Sequence, residues 1–310
     1  MNQTIPEHLY HYTKINVLRE IFKDPEGKKV RLRFTDMHFL NDAEEGIYFY
    51  KFIEKYKDEI VKKFKEGDEQ EYCKCAIEDF LDSECYRYLL EEQSGKHYVC
   101  SFSELQDSIY FWLTNYANEN GIALRLKTSA CEFYDSGPYL SRVRYFNVES
   151  IDRLMPDFVN MVREDSKYID IQRASDDEPA CVGMNGAQVL GRSPFSIIKN
   201  KIWEPEKEWR MVRSLKALSL SMANRSFAKN KVVKENDNEL EDDWDAKEFF
   251  KVDDYGVPRY YINMPNPFDE IILGPSFSRY YVDSVKKWLD EHKYHNVKVS
   301  LSEAHLRHKP

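Results

Sequence analysis

Short segments rich in β-branched and aromatic residues recur along the whole chain, and this recurrence constrains the fold more than any other feature of the sequence. Such residues favour strands, and a partial alternation of apolar and polar side chains is typical of strands with one buried face. The predicted strands are LYHYT (9–13), KVRLRFTD (29–36), HYVCSFS (97–103), GIALRLK (121–127), SRVRYFN (141–147), EWRMVRS (208–214), RYYINM (259–264), EIILG (270–274) and VKVSLS (297–302).

Longer stretches with apolar residues at helical spacing lie between several of these strands. Helices are predicted over residues 14–23, 43–65, 69–93 and 106–117, and from Ser276 or Ser278, either of which can cap a helix, to about His292. The last part of the chain therefore reads as strand, turn, helix and strand.

Three stretches are predicted to be additions to a common core. Residues 43–94 form a charged helical pair, and residues 165–192 and 222–247 are rich in small, polar and acidic side chains that bury little surface. None of the three is typical of an interdomain linker. We therefore predict one α+β domain over residues 1–310, with a helical insertion at 43–94 and polar insertions at 165–192 and 222–247.

Composition limits the classes of partner and compartment. The chain has 310 residues and a net charge of −9, so it has no overall attraction for a polyanion, and any nucleic-acid contact needs a local basic patch. No apolar run has membrane-spanning length, and the first residues lack the pattern of a signal peptide. The six cysteines show no paired spacing typical of zinc sites. We predict a cytoplasmic protein without a metal and without a membrane contact.

The first motif is LYHYT, in which a histidine stands between two tyrosines. On a strand, His11 shares one face with Leu9 and Thr13, while Tyr10 and Tyr12 occupy the other. His11 is therefore either a core histidine with a hydrogen-bond partner or a ligand-binding histidine on the floor of a cleft.

The second motif is EKEWR, at residues 206–210. In an extended segment Glu206, Glu208 and Arg210 share a face, and Trp209 lies on the other. Two carboxylates on one face repel each other unless a cation lies near them, and Arg210 can supply it. An ion pair on a strand is one interpretation. The other is a carboxylate that stabilises positive charge developing in a transition state.

Three further motifs have ordinary structural explanations. In LNDAEE (40–45), Asn41 and Asp42 are suited to cap the following helix. In CSFSE (100–104), the two serines are suited to one face of a strand. In WLTNYANENGIAL (112–124), Trp112 and Tyr116 are a helical pair more typical of a core than of a site.

Taken in order, the motifs LYHYT, LNDAEE, CSFSE, WLTNYA, GIAL and EKEWR resemble the bacterial domain-of-unknown-function family 2971 from about residue 8 to about residue 302. That family in turn distantly resembles the ADP-ribosyltransferase fold. The resemblance implies a mixed, mostly antiparallel split-sheet core with flanking helices. The charged helical pair and the polar insertions depart from the shorter members.

The resemblance also implies roles for individual residues. The superfamily has a histidine or arginine on the first core strand that holds the ribose of NAD, then a serine or aromatic beside the nicotinamide, and a glutamate on a later strand. Glu208 corresponds to the catalytic glutamate and Glu206 to the acid that precedes it. The residues that correspond to NAD binding are His11, Tyr12, Thr13, Ser101, Ser103, Tyr116 and Arg210. Ser101, Ser103 and Tyr116 are alternatives for the middle position.

The function implied is that of a mono-ADP-ribosyltransferase, a glycosyltransferase that uses NAD as substrate. Its acceptor would be nucleic acid, RNA in particular, or protein, in a toxin–antitoxin or anti-phage defence system with an antitoxin as partner. Two alternatives remain open at this point. One is a metal-dependent nuclease that uses Asp42, Glu44, Glu206 and Glu208. The other is a non-catalytic sensor or adaptor that binds a nucleotide.

Overall fold

In the computed structural model, the chain forms two compact units. Unit 1 comprises Met1–Asp36, Tyr98–Ser141 and Glu206–Pro310, and unit 2 comprises Met37–His97 and Arg142–Pro205. The predicted insertion at 43–94 falls within unit 2. The structure describes residues 5–40, 47–64, 66–67, 70–71, 73–74, 77–78, 81, 97–114, 120–131, 139–146, 198–214, 248–253 and 256–304.

Unit 1 is built on one sheet of ten strands. Eight of them follow the order β12-β11-β4-β1-β3-β2-β10-β9, while β8 pairs with β3 and β5 pairs with β8. Their bounds are β1 His8–Lys14, β2 Lys29–Asp36, β3 His97–Ser103, β4 Gly121–Lys127, β5 Tyr139–Arg142, β8 Glu208–Ser214, β9 Glu248–Val252, β10 Pro258–Pro265, β11 Phe268–Leu273 and β12 Lys298–Leu301. Most pairs are antiparallel, and β11 with β12 is parallel.

The pairing of β3 changes along its length. Near its start, Tyr98 and Val99 pair with Asp36 and Thr35 of β2. At its end, Ser103 pairs with Tyr10 of β1. The strand β1 pairs with β4 along all seven of its residues and with β3 at Tyr10, so its pairing with β3 is much shorter than its pairing with β4.

Strand alternation gives the sheet two different faces. One face carries the main core, to which Leu9, Phe102 and Trp209 belong. On the opposite face, a smaller aromatic cluster forms around β1 and β4, with Tyr10 and Tyr12 among its members. The apolar side chains of β1, β3, β4 and β8 in these two clusters are almost completely buried, and burial of large apolar side chains supplies most of the favourable free energy of folding.

Three α-helices lie in the described part of unit 1. They are α1 (Leu18–Ile21), α3 (Ile109–Leu113) and α4 (Arg279–Glu291). Helix α4 connects the parallel strands β11 and β12, as parallel pairing requires, and buries Val285 and Leu289.

In the described part of unit 2, helix α2 (Ile47–Val61) contains a non-helical residue at Tyr56. Two short strands, β6 (Arg144–Phe146) and β7 (Ile198–Asn200), form a parallel pair. The ammonium of Lys199 lies 4.7 Å from the ring centroid of Trp203, which is a cation–π contact.

The predicted α+β class and mostly antiparallel pairing are confirmed, and the sheet is open. Each of the nine predicted strands is present, and SRVRYFN is divided into β5 and β6. The predicted helices at 14–23 and 106–117 are shorter than expected, and the strand, helix, strand order at the end is confirmed. Residues 165–192 and 222–247 lie outside the described residues. Within the described residues, every helix is too short or too polar to cross a membrane.

Candidate functional site

His11 lies where β1 and β3 separate. Its Nδ1 is 2.8 Å from the main-chain oxygen of Ser101, and Ser101 lies between the residues of β3 that pair with β2 and with β1. A carbonyl oxygen can only accept a hydrogen bond, so Nδ1 carries the proton and donates it. The imidazole therefore bridges the two strands at the point where their pairing stops.

The surroundings of His11 favour its neutral form. Burial lowers the pKa of the imidazole, the positive charge of Arg33 lowers it further, and the hydrogen bond to Ser101 acts in the opposite direction. The ring also lies 5.6 Å, centroid to centroid, from the ring of Phe102. At neutral pH His11 is thus uncharged, and its Nε2 has a lone pair that can accept a hydrogen bond.

The lowered pKa of His11 predicts a loss of stability on acidification. The unfolded chain protonates this histidine near its ordinary pKa of about 6.5, and the folded chain resists protonation. The contribution of neutral His11 is therefore complete above about pH 6.5 and falls as the pH drops from there toward the folded pKa. We expect the free energy of unfolding of the wild type, minus that of His11→Gln, to decrease between about pH 7.5 and about pH 5.

Glutamine is chosen because its amide can still donate to Ser101 but does not titrate. Urea unfolding of both proteins at each pH gives the difference in their free energies of unfolding. The contributions of the other titrating groups are the same in both proteins and cancel in this difference. A difference that stays constant, or grows on acidification, contradicts the description of His11 as a half-buried neutral imidazole.

Glu208 begins β8 and forms a two-bond ion pair with Arg210. The guanidinium donates from Nε to Oε1 over 2.8 Å and from Nη2 to Oε2 over 3.1 Å. Both side chains are buried, with exposed fractions of 5% and 1%. Trp209 and Met211, which alternate with them, belong to the main core. The predicted ion pair on one strand face is thus confirmed, and its two parallel bonds fix the orientation of the carboxylate.

The prediction that Glu206 shares an extended segment with Glu208 is wrong. Glu206 ends a 3-10 helix, Lys201–Glu206, and Lys207 has a φ of 43°, in the left-handed region. Strand alternation begins only at Glu208. The two carboxylates consequently meet different groups, since Glu206 Oε1 accepts from the Tyr110 hydroxyl over 3.4 Å while Glu208 binds Arg210.

The two serines of β3 differ in their surroundings. Ser103 is 1% exposed, donates to the main-chain oxygen of Glu206 over 2.6 Å and accepts from the Leu105 amide over 3.1 Å. Its hydroxyl therefore fixes the turn before β8. Ser101 is only half-buried, so of the two it offers the more accessible hydroxyl.

Tyr12 belongs to the aromatic cluster. Its ring stacks on Phe111 at 4.3 Å, and its hydroxyl donates to the Leu105 main-chain oxygen over 2.8 Å and accepts from the Ser108 amide over 3.1 Å. Burial raises the pKa of this hydroxyl. Tyr12 thus anchors the loop between β3 and α3. Thr13, the next residue on β1, is also buried.

The carboxylate of Asp107 connects the same loop to two other parts of unit 1. It accepts from Trp112 Nε1 over 2.6 Å, from the Ser302 hydroxyl over 2.7 Å and from the Glu303 amide over 2.6 Å. The loop between β3 and α3 is thereby held to its own helix and to the segment that follows β12.

Several of these side chains share one side of the sheet. Residues that alternate with main-core residues on β2, β3 and β8 point away from that core. We call this side the polar face; it carries Arg33, Ser101, Ser103, Glu208 and Arg210. The imidazole of His11 lies on the opposite side of the sheet, where its ring contacts Phe102 of the main core, and its link to this group is the hydrogen bond to the Ser101 main-chain oxygen.

The structure does not describe the remaining predicted site residues. Tyr116, Asp42 and Glu44 lie outside the described residues, so their roles stay predictions. No group of three or more His, Cys, Asp or Glu residues in the described ranges is arranged to hold a metal ion. Two surface hollows lie along α4 and beside Lys28 and His295, and none of the predicted site residues lines either of them.

Two residues of this region were not predicted from the sequence. Tyr110 contacts Glu206. Its only signal in the sequence is its position in the predicted helix 106–117, which also contains the candidate Tyr116. Arg33 alternates with the buried residues Leu32 and Phe34. A cation between apolar residues on a strand is a signal that could have identified it.

No protein-family model, curated protein or solved structure matches the chain. The resemblance to family 2971 and to the ADP-ribosyltransferase fold therefore stays a prediction based on the order of the motifs.

Proposed function

We propose that this chain is an NAD-dependent ADP-ribosyltransferase. The observation that carries the proposal is the neighbourhood of three strands: β1, with His11, pairs with β3, with Ser101, and β3 pairs with β8, which begins at Glu208. The resemblance implies these three positions for a ribose-binding histidine, a serine beside the nicotinamide and a glutamate. They are separated by 90 and 107 positions in the chain and come from adjacent strands of one sheet. The side chains of Ser101 and Glu208 share the polar face, and that of His11 lies on the core face next to Phe102.

His11 is suited to hold a sugar. Its Nδ1 proton is donated to Ser101, so the neutral ring keeps Nε2 as an acceptor for a ribose hydroxyl. The bond to the main chain also restricts the orientation of the ring. A restricted acceptor fixes the position of the sugar, and positioning of this kind lowers the barrier to reaction.

Glu208 is suited to stabilise positive charge on the sugar. NAD supplies the ADP-ribose group, and the bond from its ribose carbon to nicotinamide breaks with the electron pair leaving on nicotinamide. A buried carboxylate beside that carbon stabilises the developing charge electrostatically. It also accepts a hydrogen bond from the attacking hydroxyl or amine, whose proton passes to solvent as the new bond to carbon forms.

The ion pair with Arg210 favours one competing function. The guanidinium offsets much of the negative charge of Glu208, which suits a side chain that orients a bound nucleotide without reacting. A non-catalytic nucleotide sensor is therefore the second candidate. The nuclease alternative has no supporting observation among the described residues.

The test is incubation of the purified chain with NAD, with and without a bacterial lysate. We expect release of nicotinamide, unaffected by EDTA, and transfer of label from adenine-labelled NAD to a macromolecule. Separate protease and nuclease digestion then identifies the acceptor as protein or nucleic acid. NAD binding without turnover would instead indicate the sensor, and EDTA-sensitive cleavage of nucleic acid without NAD would indicate the nuclease.

A further inference from the structure

The surface hollow beside Lys28 and His295 collects positive charge at one end of the sheet of unit 1. Its walls come from four places in the chain: the segment before β2, the end of β4, the turn between β10 and β11, and the segment between α4 and β12. The charged residues that line it are Lys28, Lys127, Lys293, His295 and Asp269. We call it the basic hollow.

The negative charge of Asp269 is largely offset within the protein. Its carboxylate accepts from Nε of Arg125 over 2.7 Å and from Nη2 over 3.1 Å, and Nε2 of His8 lies 3.7 Å from its Oδ2. A two-bond pair with a guanidinium is a strong interaction. His295 in turn lies 3.3 Å from Asp290, Nδ1 to Oδ1. The net positive charge of the hollow therefore comes from its three lysines.

These lysines are available to an anion from solution. Lys127 is exposed, and its ammonium forms no hydrogen bond or ion pair within the described ranges. Lys28 and Lys293 share one carboxylate, that of Glu26, at 3.9 and 3.2 Å. All three of these side chains are more than half exposed. Ion pairs of this kind contribute little and are screened by salt, so a phosphate can replace Glu26.

The segment that carries Lys28 is held in place by buried groups. Asp24 is 5% exposed, and its carboxylate accepts from the main-chain amides of Glu26, Lys28 and Lys29 over 3.2, 2.9 and 2.7 Å. The hydroxyl of Tyr294 donates to the main-chain oxygen of Lys29 over 2.6 Å and accepts from the Asp24 amide over 3.1 Å. The segments before β2 and after α4 are thus fixed to each other.

A close backbone contact adds to this connection. Gly27 and Lys293 both have left-handed φ values, 65° and 67°. A Cβ atom at Gly27 would lie 2.5 Å from the main-chain oxygen of Lys293, so only glycine permits this approach. The backbone positions from which Lys28 and Lys293 extend therefore keep a constant separation.

The lining favours a polyanion over a small molecule. The side chains beneath the lysines include Phe268, Tyr294 and Val297, which are almost completely buried. Among the described residues of the lining, none has a buried side-chain nitrogen or oxygen left without a partner. A small-molecule pocket has a few such polar groups directed at its ligand. Exposed lysines on a rim are instead typical of contacts to a row of phosphates.

We propose that the basic hollow binds nucleic acid through its backbone phosphates, without sequence preference. Lys28, Lys127 and Lys293 each neutralise a phosphate and release its counterion. On a chain of net charge −9, a local group of cations is where a polyanion can approach. That the bound nucleic acid is the acceptor of ADP-ribose rests on the proposed function; the binding itself does not.

The test compares Lys28→Gln/Lys127→Gln with Lys286→Gln/Lys287→Gln, which removes the same charge from exposed lysines of α4 that lie among acidic side chains. Fluorescence anisotropy follows labelled single-stranded RNA oligonucleotides of two unrelated sequences at several salt concentrations. We expect the first variant to weaken both by about tenfold or more, and the slope of log K against log salt to fall by about 1.4, or about 0.7 for each lost contact. The second variant should bind like the wild type, and thermal unfolding should be the same for all three proteins.

Failure of the wild type to bind either oligonucleotide at low salt overturns the inference, as does an equal loss of binding in the two variants. Displacement of the RNA by an equal concentration of inorganic phosphate indicates a small-anion site and also overturns it. If the first variant alone loses RNA binding while the wild type releases no nicotinamide from NAD, the basic hollow stands and the proposed function fails. If the wild type releases nicotinamide and the first variant binds RNA normally, the proposed function stands and the role of the hollow is wrong.

Discussion

Glu208→Gln is expected to reduce nicotinamide release from NAD by on the order of 10²–10³-fold, because it removes the charge that would stabilise the sugar in the transition state. Glutamine has nearly the same shape and keeps one oxygen that can accept from Arg210. The NAD affinity should therefore change less than the turnover number. Measured kcat and KM separate the two effects.

A matched control is Glu270→Gln on β11. Glu270 is also a buried strand carboxylate, 3% exposed, and it is paired with Arg125 and accepts from the Ser300 hydroxyl. Its substitution makes the same chemical change to an ion pair on β11, which does not pair with β3 or β8, and should leave kcat nearly unchanged. If both variants lose turnover equally, the loss reflects stability, and if neither does, Glu208 is not the catalytic residue.

Arg210→Met is expected to lower the free energy of unfolding by about 3–5 kcal/mol. Methionine fills much of the volume of arginine, but Glu208 loses both hydrogen bonds to the guanidinium while it stays buried. A buried carboxylate that loses two hydrogen bonds to a guanidinium is destabilised much more than an exposed one. Urea unfolding followed by tryptophan fluorescence measures the change.

Two further variants test the cause of this loss. Arg259→Met breaks a more exposed pair with Asp253, whose side chains are 16% and 18% exposed, and should cost less. The double variant Glu208→Leu/Arg210→Met removes both charges of the pair. Its loss in the free energy of unfolding should therefore be smaller than the sum of the losses for Glu208→Leu and Arg210→Met measured separately. A loss below about 1 kcal/mol for Arg210→Met would show that the pair behaves as a surface pair.

Strand positions were the most predictable part of the fold. Period-two alternation identifies segments such as KVRLRFTD and GIALRLK because one face of each is packed on the core. The strands β7 and β9 were missed: β7 has three residues, and β9 directly follows the polar stretch 222–247. Short strands have too few residues for a pattern, and their pairing partners decide their structure.

The site was predictable only in part. The pairing of Glu208 with Arg210 follows from a spacing of two residues on one strand. The contact of His11 with Ser101 joins residues 90 positions apart, and local pattern cannot indicate it. The left-handed φ of Lys207, which separates Glu206 from Glu208, runs against the preference of a lysine, so it is imposed by the surrounding structure.

The carboxylate of Asp107 joins the segment after β12 to the loop between β3 and α3. It gathers Trp112 of α3 with Ser302 and Glu303, which follow the last strand, while Tyr12 holds the same loop from β1. A partner protein that binds the segment after β12 would thus act on the loop that Tyr12 holds to β1. Inhibition from that segment would need no hinge motion, because the carboxylate of Asp107 accepts hydrogen bonds from Trp112, Ser302 and Glu303 at the same time.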